Sequence, residues 1–159
     1  MGPWYPMSRP RGRRNLALER TMTPSLLALL GYASWMLLLL GVIVVQRSTL
    51  TLLGRRAANG FKPTGDGGGP AEQRLLRAHA NCYENLPMFG AFILLAHVSG
   101  HGDVTDGLAL VALGARVAQS AIHITSTSVP AVSLRFTAFL VQVGIQGYWA
   151  VKLALIGLG

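Results

Sequence analysis

Residues 74–84 carry polar side chains at helical spacing, directly before a long apolar run. Arg74, Arg77, Asn81 and Glu84 occupy positions i, i+3, i+7 and i+10, so they share one face of an α-helix. Arginine donates paired hydrogen bonds to a carboxylate, and a glutamate accepts hydrogen bonds from an ammonium group. This face therefore predicts a site for an anionic ligand that carries carboxylates and an amine.

Polar residues also interrupt the apolar segments further along the chain. They are Arg116, Gln119 and His123 in the third segment and Arg135 near the start of the fourth. If consecutive helices alternate in direction, the end of the third helix meets the starts of the second and fourth helices at one side of the membrane. The residues predicted to converge there are Arg77, Asn81, His123 and Arg135, with Arg55 or Arg56 above them.

A purely structural interpretation remains open for these groups. In it, Glu84 neutralises Arg77 or Arg116 within a helix bundle, and Asn81 completes a hydrogen-bond network. However, several arginines against one acid leave excess positive charge, and ionisable groups within a membrane usually serve a function.

The four histidines show no spacing typical of a metal site, so no metal ligands are expected. Cys82 is the only cysteine, which excludes an intrachain disulfide.

Composition favours an integral membrane protein. Of 159 residues, 51% are hydrophobic and 13% are charged, and that charged fraction is about half the usual share for a soluble domain. The net charge of +8 resides mostly in the first 77 residues, next to apolar runs. Membrane anchoring explains such basic flanks better than nucleic acid, so no nucleic-acid partner is expected.

Four apolar segments predict an all-α, integral membrane four-helix bundle. The predicted spans are about 24–45, 71–97, 104–124 and 131–156. Residues 1–21 are rich in proline and arginine and are predicted to form a disordered basic tail, followed by a four-helix domain over 22–159. The basic loop after the first span is expected in the cytoplasm, an orientation that suits an alternative start at Met22.

The second segment also carries a family signature. Residues 77–87 read Arg-Ala-His-Ala-Asn-Cys-Tyr-Glu-Asn-Leu-Pro, which resembles the second-helix pattern of the MAPEG family, the membrane-associated proteins in eicosanoid and glutathione metabolism. The Gly-Ala-Arg sequence ending at Arg116 resembles the family's third-helix pattern, and Arg135 lies where the fourth helix begins with an arginine. The resemblance covers roughly residues 26–155 and is closest to a microbial-type member.

This resemblance implies a homotrimer that binds glutathione at subunit interfaces near the cytoplasmic side. Arg77, Asn81 and Glu84 would hold the glutathione backbone, and Arg116 would support the pocket. Arg135 would lie beside the sulfur and favour the thiolate, because a nearby guanidinium lowers the pKa of a thiol. That thiolate would attack a lipophilic electrophile arriving through the bilayer, or reduce a lipid hydroperoxide. Arg74 and His123 complete the expected binding residues.

Several positions depart from the family pattern. His123 and Phe139 stand where related synthases often have tyrosines, and Phe136 stands where the prostaglandin synthase has a hydroxyl residue. Ala80 replaces an arginine often found after the signature histidine. These departures leave open a different low-molecular-weight thiol in place of glutathione.

Three functions therefore remain open. The first is a glutathione-dependent transferase or peroxidase, which we favour. The second is a non-catalytic MAPEG-like membrane protein that binds lipids or other membrane proteins. The third is a small transporter or channel subunit, suggested by Arg116 in the middle of a span. A bacterial plasma membrane is the expected location.

Overall fold

The computed structural model describes residues 22–159, which form four long α-helices and one short 3-10 turn. The elements are α1 (Pro24–Leu52), the 3-10 turn (Ala58–Gly60), α2 (Pro70–Val98), α3 (Asp103–Thr125) and α4 (Val129–Leu158). This arrangement confirms the predicted all-α, four-helix fold. The tail predicted over 1–21 lies outside the described residues.

Three of these helices, α1, α3 and α4, are long and apolar enough to cross a membrane. The remaining helix, α2, has 29 residues as α1 does, but its first half carries the charged signature residues. At about 1.5 Å per residue, such helices exceed the roughly 30 Å hydrocarbon core of a bilayer. A helix of this length that crosses a bilayer therefore has ends in the headgroup region, where charged side chains are tolerated.

The first helix ends later than the sequence predicted. It continues past residue 45 to Leu52, because a helix need not stop where the hydrocarbon does. Gly54 then adopts a positive φ of 66°, and its N–H bonds to the Thr51 carbonyl while the Arg55 N–H bonds to the Leu50 carbonyl. This pattern is a Schellman motif, in which glycine takes the left-handed conformation without a side-chain clash.

Consecutive helices run in opposite directions, as side-chain contacts at one end of the bundle show. There the Ser25 hydroxyl lies 2.8 Å from the Thr105 hydroxyl, and the Ser25 backbone N–H donates to Asp106 Oδ1 at 3.1 Å. The Thr23 hydroxyl lies 2.8 Å from His97 Nε2. The start of α1, the end of α2 and the start of α3 therefore meet. The α1–α2 loop and the start of α4 occupy the opposite end.

Aromatic and small side chains form the core. The Tyr32 and Phe89 rings have centroids 5.1 Å apart, and the Phe89 and Trp149 rings are 5.8 Å apart. Buried alanines such as Ala109 let the helices approach closely. The Tyr32 hydroxyl donates to the Cys82 carbonyl at 3.0 Å, which fixes α1 against the signature segment of α2.

Candidate functional site

A cavity of about 550 Å³, here called cavity one, lies between the start of α2, the end of α3 and the start of α4. Its volume is within the roughly 300–1,000 Å³ typical of small-molecule sites. The polar residues that line it include Arg74, Arg77, Asn81, Gln119, His123 and Arg135. The antiparallel connectivity thus brings together the four residues predicted to converge, and adds Arg74 and Gln119.

Two contacts fix the relative positions of α2 and α3 at this cavity. Arg74 Nε donates a hydrogen bond of 2.8 Å to the Ile124 carbonyl, one of the carbonyls that the end of α3 leaves without a helical partner. Asn81 Nδ2 lies 3.4 Å from His123 Nδ1, which can accept its hydrogen. The signature helix is thereby held against the end of α3, and His123 is oriented within the cavity wall.

The charge of cavity one is strongly positive. Among residues 22–159, three guanidiniums, from Arg74, Arg77 and Arg135, line it, and no carboxylate does. Arg77 is exposed, whereas Arg74 and Arg135 are half-buried. A cavity with these donors suits a ligand that brings its own carboxylates, because guanidinium groups bind carboxylates through paired, charge-assisted hydrogen bonds.

The two arginines predicted to lie above this cavity are not part of its lining. Neither Arg55 nor Arg56 lines cavity one. Arg56 Nη1 instead lies 2.9 and 3.2 Å from the two carboxylate oxygens of Glu72, and its guanidinium carbon lies 4.6 Å from the Phe61 ring centroid. Because Glu72 is buried in the first turn of α2, it needs a cationic partner, and the loop supplies one.

A second cavity of about 460 Å³, cavity two, lies further along the same face of α2. Asn81 and Phe139 line both cavities, whereas Glu84 and Arg116 line only cavity two. Glu84, which lines this cavity, is exposed. The sequence placed all these residues in one site. The structure divides them between two adjoining cavities, because the α2 face is longer than one ligand pocket.

Arg116 is the most deeply buried charged group of this region. Only 1% of its surface is exposed, and its Nε and Nη2 atoms have no hydrogen-bond acceptor within residues 22–159. Its guanidinium carbon lies 5.7 Å from the Tyr32 ring centroid. The Arg56–Glu72 pair is the only salt bridge in the described part of the chain, so Glu84 neutralises neither Arg77 nor Arg116 there. A buried guanidinium without an acceptor is costly.

A chain of buried amides, which was not predicted from the sequence, joins three helices. Asn85 Nδ2 donates to Gln142 Oε1 at 3.2 Å, Gln142 Nε2 donates to Gln119 Oε1 at 3.0 Å, and Gln146 Nε2 donates to Asn85 Oδ1 at 3.0 Å. Gln119 lines cavity one, and the amides of Asn85 and Gln146 line cavity two. The i, i+4 spacing of Gln142 and Gln146 in an apolar helix was the available signal.

Comparison with known proteins agrees with this architecture. The sequence profile of the MAPEG family matches residues 25–155, which covers all but the ends of the helical domain. A search of curated proteins found no match. The profile match spans most of the chain and includes every residue that lines cavities one and two. The chain therefore belongs to the MAPEG family.

Proposed function

We propose that the protein is a membrane-bound, glutathione-dependent transferase or peroxidase. The observation that carries this proposal is the set of three guanidiniums around cavity one, with no carboxylate from the described part of the chain. The family includes glutathione transferases and peroxidases. Glutathione carries two carboxylates, which can pair with two of these guanidiniums and leave the third for the thiolate.

In this proposal, Arg74 and Arg77 hold the carboxylates of glutathione, and Asn81 and His123 hold its amides by hydrogen bonds. Arg135 lies at the start of α4 and acts on the sulfur. A guanidinium next to a thiol lowers the pKa of that thiol, because it stabilises the thiolate relative to the neutral form. Arg135 is the proposed catalytic residue for this reason.

The thiolate then reacts with a lipophilic molecule that enters from the bilayer. With an electrophile, the sulfur forms a bond to carbon and the leaving group departs. With a lipid hydroperoxide, the sulfur takes the terminal oxygen and releases an alcohol, and a second thiol converts the resulting sulfenic acid to a disulfide and water. Phe136 and Phe139, which line cavity one, supply an apolar wall for such a substrate.

In this proposal the protein is a homotrimer, and the site around Glu84 and Arg116 is completed at the interface between subunits. Glu84 is exposed on α2, which packs against the three apolar helices, and Arg116 lacks an acceptor within the described chain. A carboxylate left exposed to lipid is unfavourable. We assign Glu84 to a subunit interface, where it accepts the ammonium group of glutathione, and Arg116, buried in the wall of the same cavity, supports the pocket from within the subunit. In this assembly the α1–α2 loop faces the cytoplasm, and a bacterial plasma membrane is the proposed location.

The test is an ultraviolet difference spectrum of the purified protein with glutathione near neutral pH, compared with Arg135→Ala. We expect a saturable thiolate band in the native protein and its loss in the variant. Lys152→Ala is the matched control, because Lys152 is an exposed cation on the same helix and lines neither cavity. An equal thiolate band in native protein and Arg135→Ala, with the same oligomeric state, would contradict the assignment of Arg135.

The alternative is a non-catalytic member that binds lipids or other membrane proteins. Phe136 and Phe139 favour it, because neither can donate the hydrogen bond that a hydroxyl residue provides. This alternative predicts no saturable thiolate band and no turnover of an aryl halide or a lipid hydroperoxide in the native protein. Screening a second thiol, such as cysteine, separates it from an enzyme that uses another thiol.

A further inference from the structure

A third cavity of about 490 Å³, cavity three, lies where α1 meets the following loop, away from cavities one and two. Its lining is amphipathic: a guanidinium and two hydroxyls face three apolar side chains. The residues are Arg47, Ser48, Thr51, Leu52, Ala58 and Phe61. None of them lines cavity one or cavity two, so the thiol chemistry proposed above does not use them.

Arg47 is poorly neutralised in this cavity. Its Nη2 donates to the Lys62 carbonyl at 3.1 Å, and its Nε has no acceptor within the described residues. Its guanidinium carbon lies 5.3 Å from the Phe61 ring centroid, which orients the group. Arg56, on the same ring, is bound to Glu72, whereas Arg47 has no carboxylate partner in residues 22–159. The cavity therefore holds an oriented cation that lacks an anion.

With the start of α1 taken as the edge of the hydrocarbon core, this cation falls at the level expected for the lipid headgroups. Arg47 lies about 35 Å along the helix from Pro24, beyond the roughly 30 Å hydrocarbon core. Below it, Leu40, Val44 and Ser48 follow one another at i+4 spacing on one face of α1, and all three are exposed. An apolar stripe therefore runs from the hydrocarbon up to the hydroxyls of cavity three.

We propose that cavity three is a binding site for an anionic phospholipid. Arg47 binds the headgroup phosphate, the hydroxyls of Ser48 and Thr51 donate further hydrogen bonds to it, and an acyl chain lies along Leu40 and Val44. Arginine suits this role because its planar fork of donors matches phosphate oxygens. Charge selects the lipid class, since a zwitterionic headgroup brings no net negative charge to an already positive loop.

The experiment is native mass spectrometry of the full chain in detergent, titrated with phosphatidylglycerol, phosphatidylcholine, glycerol 3-phosphate or inorganic phosphate. We expect saturable binding of phosphatidylglycerol and weaker binding of the other three. Removing the one cation that contacts the phosphate, in Arg47→Gln, should weaken phosphatidylglycerol binding roughly fivefold or more. Arg55→Gln is the matched control, since Arg55 is an exposed loop cation that does not line the cavity.

A second variant distinguishes the loss of the binding site from a folding defect caused by removing a charge. Thr51→Leu keeps every charge and fills the cavity, so it should also weaken phosphatidylglycerol binding while the oligomer remains intact. Equal losses in Arg47→Gln and Arg55→Gln would overturn the proposal, because they would indicate attraction to the loop as a whole. Equal affinity for phosphatidylcholine would overturn the selectivity for anionic lipid. Equal affinity for inorganic phosphate or glycerol 3-phosphate would overturn the lipid assignment.

Discussion

Gln142 is the central residue of the buried amide chain, and replacing it tests whether that chain holds the helices together. The variant Gln142→Met keeps the length of the side chain and removes its polar atoms. It eliminates the two hydrogen bonds that Gln142 makes to Asn85 and Gln119, on neighbouring helices. The third hydrogen bond of Gln142, to the Ala138 carbonyl, lies within α4 and does not connect helices.

The magnitude follows from the number of interhelical bonds lost. In a membrane, one such bond contributes about 0.6 kcal/mol on average and at most about 1.7 kcal/mol. Asn85 keeps its bond to Gln146 through Oδ1, so the variant leaves only its Nδ2 and the Gln119 oxygen unsatisfied. We therefore expect Gln142→Met to lower the free energy of unfolding by about 1–3 kcal/mol.

The assay is unfolding in mixed micelles with increasing sodium dodecyl sulfate, followed by circular dichroism. Val141→Leu is the control, because Val141 is an exposed neighbour on α4. The double variant Gln119→Met with Gln142→Met removes both partners of one bond, so its loss should be smaller than the sum of the two single losses. A loss for Gln142→Met no larger than for Val141→Leu, or strictly additive losses, would refute the reasoning.

Two further predictions concern the loop and the core. A Cβ at Gly68 would collide with the Glu72 carboxylate, whereas a Cβ at Gly69 would have no atom of the described residues within 4 Å. Gly68→Ala should therefore break the loop's salt bridge and speed tryptic cleavage of the α1–α2 loop at least about tenfold relative to Gly69→Ala; equal rates would contradict this. Tyr32→Phe removes the hydrogen bond to the Cys82 carbonyl and should lower the free energy of unfolding in micelles by about 1 kcal/mol. No measurable change there would show that this bond contributes nothing to stability.

The number of helices and the convergence of most site residues could be predicted from the sequence. The number of helices followed from four apolar runs, and the shared face of Arg74, Arg77 and Asn81 followed from the 3.6-residue period. The meeting of His123 and Arg135 with that face followed from alternating helix direction alone. These features could be predicted because each depends on local periodicity or on connectivity, and the short connections from α2 to α3 and from α3 to α4 leave few alternative arrangements.

The tertiary structure decided which polar groups are partners. Glu72 was not singled out in the sequence, yet it binds Arg56 and holds the loop, whereas Glu84 binds no arginine within the described chain. The partners of Gln142 likewise depend on the packing of α4 against α2 and α3, because its two interhelical hydrogen bonds go to Asn85 and Gln119. Spacing along a helix fixes which face a side chain shares, but its partner depends on how neighbouring helices are rotated and how deeply they pack. That information resides in contacts between residues far apart in the chain.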